Sequence, residues 1–337
     1  MKIFVYASEE VKAKVAKSLK EVSPELNIVA DVKDSEIIIN LFDDIPIEDE
    51  VFKLSEKYCV DMKKATSLLE LIRLTKVKPY LDAMADGIKD LGNKPLIINS
   101  TSPIDLVTLY LCRAYGIVSY GLSLKGANLV DGFLKETGLS EYIGKVNAKA
   151  AGVNNNLWIT DIRTPDGEDL YPKARESVKD LDLRVTRNDL TRDPLRCMKF
   201  FHFFHSANTE SQDKLDALKE FISAYISEEK SRVYLNKINF DSLPDFDEFA
   251  CIEVPCMVGN NDVEAEEVTL PIQCALAIND YISSTLVASK ALILESKEIF
   301  KRFVKLEPYL MSILTLKELD NLASDLLDIV DSFSVFK

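Results

Sequence analysis

The amino-acid sequence predicts an α/β fold, with a shortened parallel sheet covered by helices in the N-terminal half and an α+β half after it. Three observations lead to this prediction. Short runs rich in valine, isoleucine and leucine alternate with amphipathic stretches of helical length over the first 125 residues. A predicted strand pair follows at residues 146–167, and the pattern then becomes mainly helical. The 337 residues, 47% of them hydrophobic, are enough to bury substantial cores.

The N-terminal half is predicted to alternate strands with helices. We place the strands at residues 2–7, 27–32, 36–42, 96–100 and 117–122, and the helices around residues 9–20, 48–58, 68–91 and 104–115. Continuous apolar strands between helices indicate a parallel sheet with both faces covered. A short helix is expected at residues 126–137, a strand near residues 251–258, and helices from residue 271 to the end. We therefore predict two domains, residues 1–150 and 151–337.

Composition and charge exclude several classes of partner. The net charge of −14 is unfavourable for binding a phosphate backbone, so no nucleic-acid partner is predicted. A signal-peptide pattern and an apolar run of roughly 18 residues are both missing, so no membrane partner is predicted. The six cysteines are scattered, and the closest pair, Cys251 and Cys256, lacks the spacing of a metal knuckle. Buried free thiols and a cytoplasmic location are expected.

The chain opens with a short apolar strand followed by a helix, which is how a dinucleotide-binding βαβ unit begins. Such a unit uses three glycines in and after the turn, for the tight bend, for close approach to the pyrophosphate and for helix packing. The three positions hold Tyr6, Ser8 and Val11, and the first glycine of the chain is Gly87. Two glutamates follow in the first helical turn, where they would repel a phosphate. The sequence therefore predicts a Rossmann-like domain with a degenerate NAD site.

Several segments from Leu96 onward resemble one enzyme family in their order and spacing. They are NSTSP at 99–103, YGLSLKG at 120–126, GVNNNLW at 152–158, GEDLYP at 167–172, TESQDKL at 209–215 and EVPCMV at 253–258. Together they are similar to segments of the NAD- and divalent-metal-dependent glycosidases of glycoside hydrolase family 4, which are relatives of lactate and malate dehydrogenases. The resemblance implies a Rossmann-like domain followed by an α+β domain of the lactate dehydrogenase and family 4 type.

The resemblance also implies a chemistry. Family 4 enzymes oxidise the sugar at C3 with NAD, which makes C2 acidic, and then eliminate the aglycone, while a metal polarises the C3 oxygen. The family's metal-ligating cysteine and histidine correspond here to Ser123 and Asn155. Hydroxyl and amide oxygens are poor ligands for a transition metal beside thiolate and imidazole. Because the cofactor glycines are missing as well, we predict that the chain uses no cofactor, neither NAD nor Mn²⁺.

Three residues are candidate substrate contacts by the same resemblance. Asn99 lies at the end of a predicted strand, at the edge where α/β sheets bind ligands, and capping of the next helix by Asn99 and Ser100 is an equally weighted alternative. Asn154 is placed to bond a sugar hydroxyl or, alternatively, to form a tight turn. Glu210 belongs to a segment that lies near the substrate in the family. The family's general base is a tyrosine, and both Tyr225 and Tyr234 fall in the matching region.

These features predict a family 4 homologue that has lost NAD- and Mn-dependent glycoside hydrolysis and is retained to bind a sugar, a sugar phosphate or a protein partner. The alternative is an active family 4-like glycosidase with an altered cofactor or metal site. The glycines, the cysteine and the histidine serve three separate parts of one mechanism, and losing all of them favours the first hypothesis. The resemblance also implies a homo-oligomer, either a dimer or a tetramer.

Overall fold

The structure is a computed structural model that describes residues 1–42, 47, 49–123, 125–153, 156–177, 210–240, 242–331 and 336. The chain forms two compact units. One comprises residues 1–16, 25–119 and 283–337, and the other comprises residues 17–24 and 120–282. The predicted α/β class is confirmed. The predicted division into domains at residue 150 stays a prediction.

Strands and helices alternate in the first part of the chain, as predicted. The strands are β1 (Lys2–Tyr6), β2 (Asn27–Ile28), β3 (Ile37–Asn40), β4 (Leu96–Asn99), β5 (Tyr120–Leu122), β6 (Asn147–Val153), β7 (Asn156–Arg163), β8 (Ser231–Ile238), β9 (Cys251–Gly259) and β10 (Asp262–Ala265). The helices are α1 (Glu9–Val22), α2 (Asp49–Tyr58), α3 (Thr66–Ile88), α4 (Ile104–Tyr115), α5 (Lys125–Glu136), α6 (Tyr171–Ser177), α7 (Glu210–Ile226), α8 (Ile272–Ile293), α9 (Lys297–Leu306), α10 (Pro308–Met311) and α11 (Leu316–Asp331). Within the described residues, no helix is both long and apolar enough to cross a membrane.

In the first unit, four strands form a parallel sheet in the order β2-β1-β3-β4. The three isoleucines of β3 are completely buried, as expected for a strand covered by helices on both faces. The register pairs Tyr6 with Asn40 and Asn40 with Asn99. Three neighbouring strands therefore end at the same level, each with a side chain that carries a polar group. Ligands of open α/β sheets bind at this carboxyl edge.

The strand β2 is shorter than the sequence predicts. We expected a strand over residues 27–32, whereas β2 ends at Ile28. Asp31 accepts a hydrogen bond from Lys33 N at 2.9 Å and caps a 3-10 helix at Val32–Asp34. Aspartate side chains compete with sheet ladders for backbone N–H groups, and here the local bond holds Asp31 to Lys33 in a turn where the sequence predicts that the strand continues.

The second unit contains an antiparallel sheet in the order β5-β8-β9-β6-β7, with β10 paired to β9. The helix α5 contacts β6 and β7 in this unit. Its apolar side, which includes the completely buried Phe133, packs into a core together with Ile159 and Leu170. The strand predicted at residues 117–122 is β5, and it pairs antiparallel with β8. This pairing places the segment that follows β5 beside β8 and β9.

The cysteines only partly match the prediction of buried thiols. Cys251, Cys256 and Cys274 are free and buried, whereas Cys112 is half-buried and Cys59 is exposed. Burial raises the pKa of the Cys256 thiol to about 12. Cys59 directly follows α2 with a positive φ of 52°, in the turn that ends this helix. The prediction was wrong for Cys59, which lies in an exposed turn after a helix. The spacing of the cysteines along the sequence does not indicate which of them lie at the surface.

A buried ion pair links helices of the first unit. Lys78 of α3 is 8% exposed, and its ammonium group lies 2.8 Å from the carboxylate of Asp82 and 3.4 Å from that of Glu295. Asp82 also accepts hydrogen bonds from the hydroxyls of Tyr110, at 2.7 Å, and Tyr115, at 2.8 Å. These partners offset the cost of taking the charges of Asp82 and Lys78 out of water. Asp82 therefore ties α3 to α4.

We predict that Asp82→Ala lowers the free energy of unfolding by about 2–4 kcal/mol, because it removes one of two partners of the buried Lys78 and the acceptor of two tyrosine hydroxyls. Urea denaturation measures the change. Asp86→Ala is the matched control on the same helix, since Asp86 is 65% exposed and pairs only with the exposed Lys89. The control should change the free energy by no more than about 0.5 kcal/mol. Equal losses in both variants would contradict the prediction.

Alkaline pH should destabilise the first unit through Tyr115. Burial and the hydrogen bond to Asp82 raise the pKa of Tyr115 from 10.0 to about 12. A group with a raised pKa in the folded state stabilises the protein below its unfolded pKa of about 10, and this contribution is lost as the pH rises to about 12. The free energy of unfolding of the wild type should therefore fall more steeply over this range than that of Tyr115→Phe. Urea titrations across this range test the difference, and parallel curves would speak against it.

Candidate functional site

The polar side chains at the end of the parallel sheet form a closed hydrogen-bond network. Asn99 is completely buried, and its Oδ1 accepts hydrogen bonds from Asn40 Nδ2 at 2.9 Å and from Thr101 N at 3.1 Å. Its Nδ2 donates to Ile104 O at 3.0 Å and to Thr108 Oγ1 at 3.3 Å. An amide side chain has two donor and two acceptor positions, so those of Asn99 are all used within the chain.

This network shows what Asn99 does locally. The N-cap residue of α4 is Pro103, and Asn99 donates to a carbonyl instead of accepting from a helical N–H. The alternative of a helix cap is therefore wrong in its geometry. Asn99 joins β3 to β4 and to the start of α4, and Thr101 closes the network by donating to Asn40 Oδ1 at 3.1 Å. The predicted contact between Asn99 and a sugar stays a prediction.

We predict that Asn99→Ala lowers the free energy of unfolding by about 2–4 kcal/mol, because it leaves the amide of Asn40 and the backbone N–H of Thr101 buried without their acceptor. The matched control is Asn27→Ala, since Asn27 is exposed and its side-chain amide donates to the nearby Glu25 O. It should change the free energy by less than about 0.5 kcal/mol. Thermal and urea unfolding of both variants provide the measurement. A loss in Asn99→Ala no larger than in the control would show that the network is not a stabilising one.

The turn after β1 carries side chains at the three positions where a dinucleotide site uses glycine. Ser8 Oγ accepts a hydrogen bond from Val11 N at 3.4 Å, so the serine caps the first turn of α1. The ring of Tyr6 packs against Phe4, with ring centroids 4.8 Å apart, and burial raises the pKa of its phenol. The Tyr6 hydroxyl lies 3.0 Å from the place that a Cβ on Gly87 would take. A capping side chain and packed rings therefore shape this turn. That the turn is a degenerate NAD site stays a prediction.

In the second unit, the segment after β5 lies against a buried carboxylate. Ser123 Oγ donates to Glu253 Oε2 at 2.8 Å, and Gly126 N donates to Glu253 Oε1 at 2.6 Å. Asn236 Nδ2 donates to Oε2 at 3.3 Å. Ser123 Oγ also accepts a hydrogen bond from Lys125 N at 3.2 Å, at the start of α5. The hydroxyl of Ser123 thus acts as a donor and as an acceptor at once.

The surroundings of Glu253 suit an anion. Its side chain is completely buried, and burial raises the pKa of the carboxyl, while the Lys125 charge and the hydrogen bonds from Ser123, Gly126 and Asn236 act in the opposite direction. The groups that point at the carboxylate are N–H and O–H donors, whereas a metal ion needs lone pairs. Among the described residues, no group of three or more histidine, cysteine, aspartate and glutamate side chains could hold a metal ion. The described residues around Ser123 therefore do not fit a transition metal.

The two tyrosines named as possible bases differ in their environment. Tyr234 is buried, its hydroxyl donates to Ala148 O at 3.0 Å, and burial raises the pKa of its phenol. A Cβ at Gly126 would lie 2.4 Å from the Tyr234 ring, so only glycine fits there. Tyr225 stacks on Phe221, with ring centroids 5.9 Å apart. Because the Tyr234 hydroxyl already donates to a backbone carbonyl and its pKa is raised, Tyr234 is unsuitable as a base at neutral pH.

Other predicted site residues lie outside the described part of the chain. Asn154 and Asn155 are both outside it, and of Glu210 only the backbone, at the start of α7, is described. Their predicted roles stay predictions. Sequence reasoning missed Glu253 as a site residue. The signal was available, because Glu253 is the one charged residue in the segment CIEVPCMV, and a buried charge must find donors.

Comparison with known proteins supports the resemblance. Residues 204–310 match the model of the family 4 glycosyl hydrolase C-terminal domain. The resemblance to glycoside hydrolase family 4 is confirmed. A solved 6-phospho-beta glucosidase from Thermotoga maritima superposes with a TM-score of 0.70 at 13% identity, covering 100% of this chain and 93% of that chain. Among curated proteins, none matches the sequence.

Two further family 4 and dehydrogenase structures show the same fold. A 6-phospho-alpha-glucosidase from gut microorganisms has a TM-score of 0.68 at 14% identity and covers 99% of this chain and 92% of its own. The lactate dehydrogenase of Cryptosporidium parvum has a TM-score of 0.55 at 16% identity, with coverage of 86% and 97%. The family 4 fold thus extends over nearly the whole chain, including the N-terminal part that the sequence segments do not cover.

The prediction that the chain uses no cofactor is wrong. The Thermotoga maritima structure was solved with manganese, NAD⁺ and glucose-6-phosphate, and the gut-microbial structure with NAD and Mn²⁺, which points to NAD and a metal as cofactors of the family. The prediction relied on single positions, namely the missing glycines and Ser123. Substitutions at these positions describe only part of a cofactor site, and they leave its remaining residues and backbone groups out of account.

Proposed function

We propose that this chain binds a sugar phosphate on the family 4 scaffold and no longer hydrolyses glycosides. The observation that carries the proposal is the bond from Ser123 to the buried Glu253. In the family, by resemblance, this position holds a metal-ligating thiolate, whereas here it holds a hydroxyl whose proton is donated to a carboxylate. By the same resemblance, the family's thiolate helps to hold the metal that polarises the C3 oxygen, and Ser123 does not supply that ligand.

The choice of ligand is supported by the solved relatives. The 6-phospho-beta glucosidase of Thermotoga maritima contains glucose-6-phosphate, and so does a 6-phospho-alpha-glucosidase from gut microorganisms. Both share the fold of this chain over 98% or more of its length. The net charge of −14 requires that cationic or polar groups be concentrated locally wherever a phosphate binds. By the same resemblance, the chain is expected to be a dimer or a tetramer, which light scattering measures.

A second candidate function is an active glycosidase with an altered cofactor or metal site. The observation that favours it is the presence of NAD and Mn²⁺ in the solved relatives. In that case Ser123 would be one of several substitutions compensated elsewhere in the site. The two functions differ in turnover and agree on the class of ligand, so turnover is the measurement that separates them.

We expect the purified protein to bind glucose 6-phosphate saturably in calorimetry and to release no nitrophenol from α- and β-nitrophenyl glycosides or their 6-phosphates. NAD and Mn²⁺ are supplied in every assay, because the solved relatives contain them. Glucose without the phosphate is the control ligand and should bind more weakly. Turnover that depends on added NAD would establish the second candidate function. Absence of any glucose 6-phosphate binding would remove the sugar phosphate from the proposal.

Restoring the two ligand types of the family should change metal binding. Ser123→Cys combined with Asn155→His supplies an anionic thiolate and an imidazole, the two ligand types that the resemblance implies for the family's metal, in place of a neutral hydroxyl and a neutral amide. We expect tighter Mn²⁺ binding, measured by the loss of the free-ion signal in electron paramagnetic resonance. Ser312→Cys, at an exposed serine, is the matched control for an added thiol. If the double variant and the control bind Mn²⁺ equally, positions 123 and 155 do not form the family's metal site in this chain.

A further inference from the structure

The carboxylate of Glu253 connects four elements of the second unit. Glu253 lies on β9 and receives hydrogen bonds from the residue after β5, from the first turn of α5 and from β8. Its neighbours in the strand, Ile252 and Val254, are completely buried and apolar. An ionised carboxylate in such surroundings is stable only while its donors stay in place, because a buried charge that loses a hydrogen bond has no water to replace it.

The start of α5 contributes electrostatically as well as through hydrogen bonds. The N-terminal end of a helix carries a partial positive charge, and Gly126 N, in the first turn, donates to the carboxylate of Glu253 at 2.6 Å. The charge of Lys125, at the first position of the helix, favours the ionised form of the Glu253 carboxyl. The N-terminal end of α5 therefore faces a carboxyl group that the chain itself supplies.

We propose that Glu253 is a positioning residue, whose carboxylate holds Ser123 and the start of α5 in the conformation that binds the ligand. The convergence of Ser123, Gly126 and Asn236 on one buried carboxylate carries this assignment. A side chain that only filled space in the core would need none of these donors. The assignment rests on the proposed function in one respect, the choice of glucose 6-phosphate as the ligand.

A small carboxylate added from solution should replace the missing group. Glu253→Ala removes the side chain but leaves the donors of Ser123, Gly126 and Asn236, which together can bind formate. Formamide has nearly the same size but no charge and one acceptor oxygen, so it satisfies these donors poorly. A difference between formate and formamide therefore separates the role of the charge from the filling of a cavity.

The experiment compares the wild type, Glu253→Ala and the matched control Glu264→Ala, whose glutamate is 70% exposed on β10. Hydrogen exchange of residues 120–126 is followed by mass spectrometry, and glucose 6-phosphate affinity is measured by calorimetry. We expect faster exchange in Glu253→Ala and an affinity lower by at least about tenfold, the loss of one charge-assisted hydrogen bond. Formate should restore both, and formamide neither.

Two results would overturn the assignment: equal exchange in Glu253→Ala and Glu264→Ala, or equal restoration by formate and formamide. If Glu253→Ala does not fold, Glu253→Asp, which keeps the charge, is compared with Glu253→Gln, which keeps the shape. Slower hydrogen exchange in Glu253→Asp than in Glu253→Gln supports the assignment, and equal exchange in the two variants overturns it. If the wild type binds no glucose 6-phosphate, the proposed function fails, while exchange and the formate arm still decide the role of Glu253.

Discussion

The buried carboxylate of Glu253 is the interaction on which the arrangement of the second unit depends. A charge that loses all contact with water must recover its hydrogen bonds from the chain, and here Ser123, Gly126 and Asn236 supply them. The donors come from three different elements, so none of these elements can move without uncovering the charge. The conformation of the segment after β5 is therefore set by electrostatics across the sheet more than by its own turn propensity.

Buried polar groups of the first unit must also find hydrogen-bond partners within the chain. These groups are neutral amides at the sheet edge and charged side chains among the helices. Asn40 and Asn99 end neighbouring parallel strands, and their amides satisfy each other. Asp82 pairs with Lys78 within α3 and accepts hydrogen bonds from two tyrosine hydroxyls of α4. In each case a polar side chain in an apolar region joins elements that are distant in sequence. Apolar packing leaves many arrangements open, and these polar contacts select one of them.

The sequence predicts those parts of the fold that depend on local pattern. The periodic apolar residues place α3 within three residues of its observed ends, and the continuous apolar run of β3 predicts a strand covered on both faces. The early end of β2 was not predictable from periodicity, because the residues after it turn locally, with Asp31 accepting a hydrogen bond from Lys33 N. The partners of Glu253 were not predictable either, since the nearest of them, Asn236, lies 17 residues away and Ser123 lies 130 residues away.

The hydroxyl at position 123 and the carboxylate at position 253 are best understood as a pair. A hydroxyl both donates and accepts, so Ser123 can bond Glu253 and the backbone of Lys125 at the same time. A thiolate in its place would bring a second negative charge to hydrogen-bonding distance of the carboxylate, in a region from which water is excluded. Only a cation between the two charges would make that combination favourable. In this chain, the neutral hydroxyl of Ser123 therefore accommodates the buried carboxylate without bringing a second negative charge beside it.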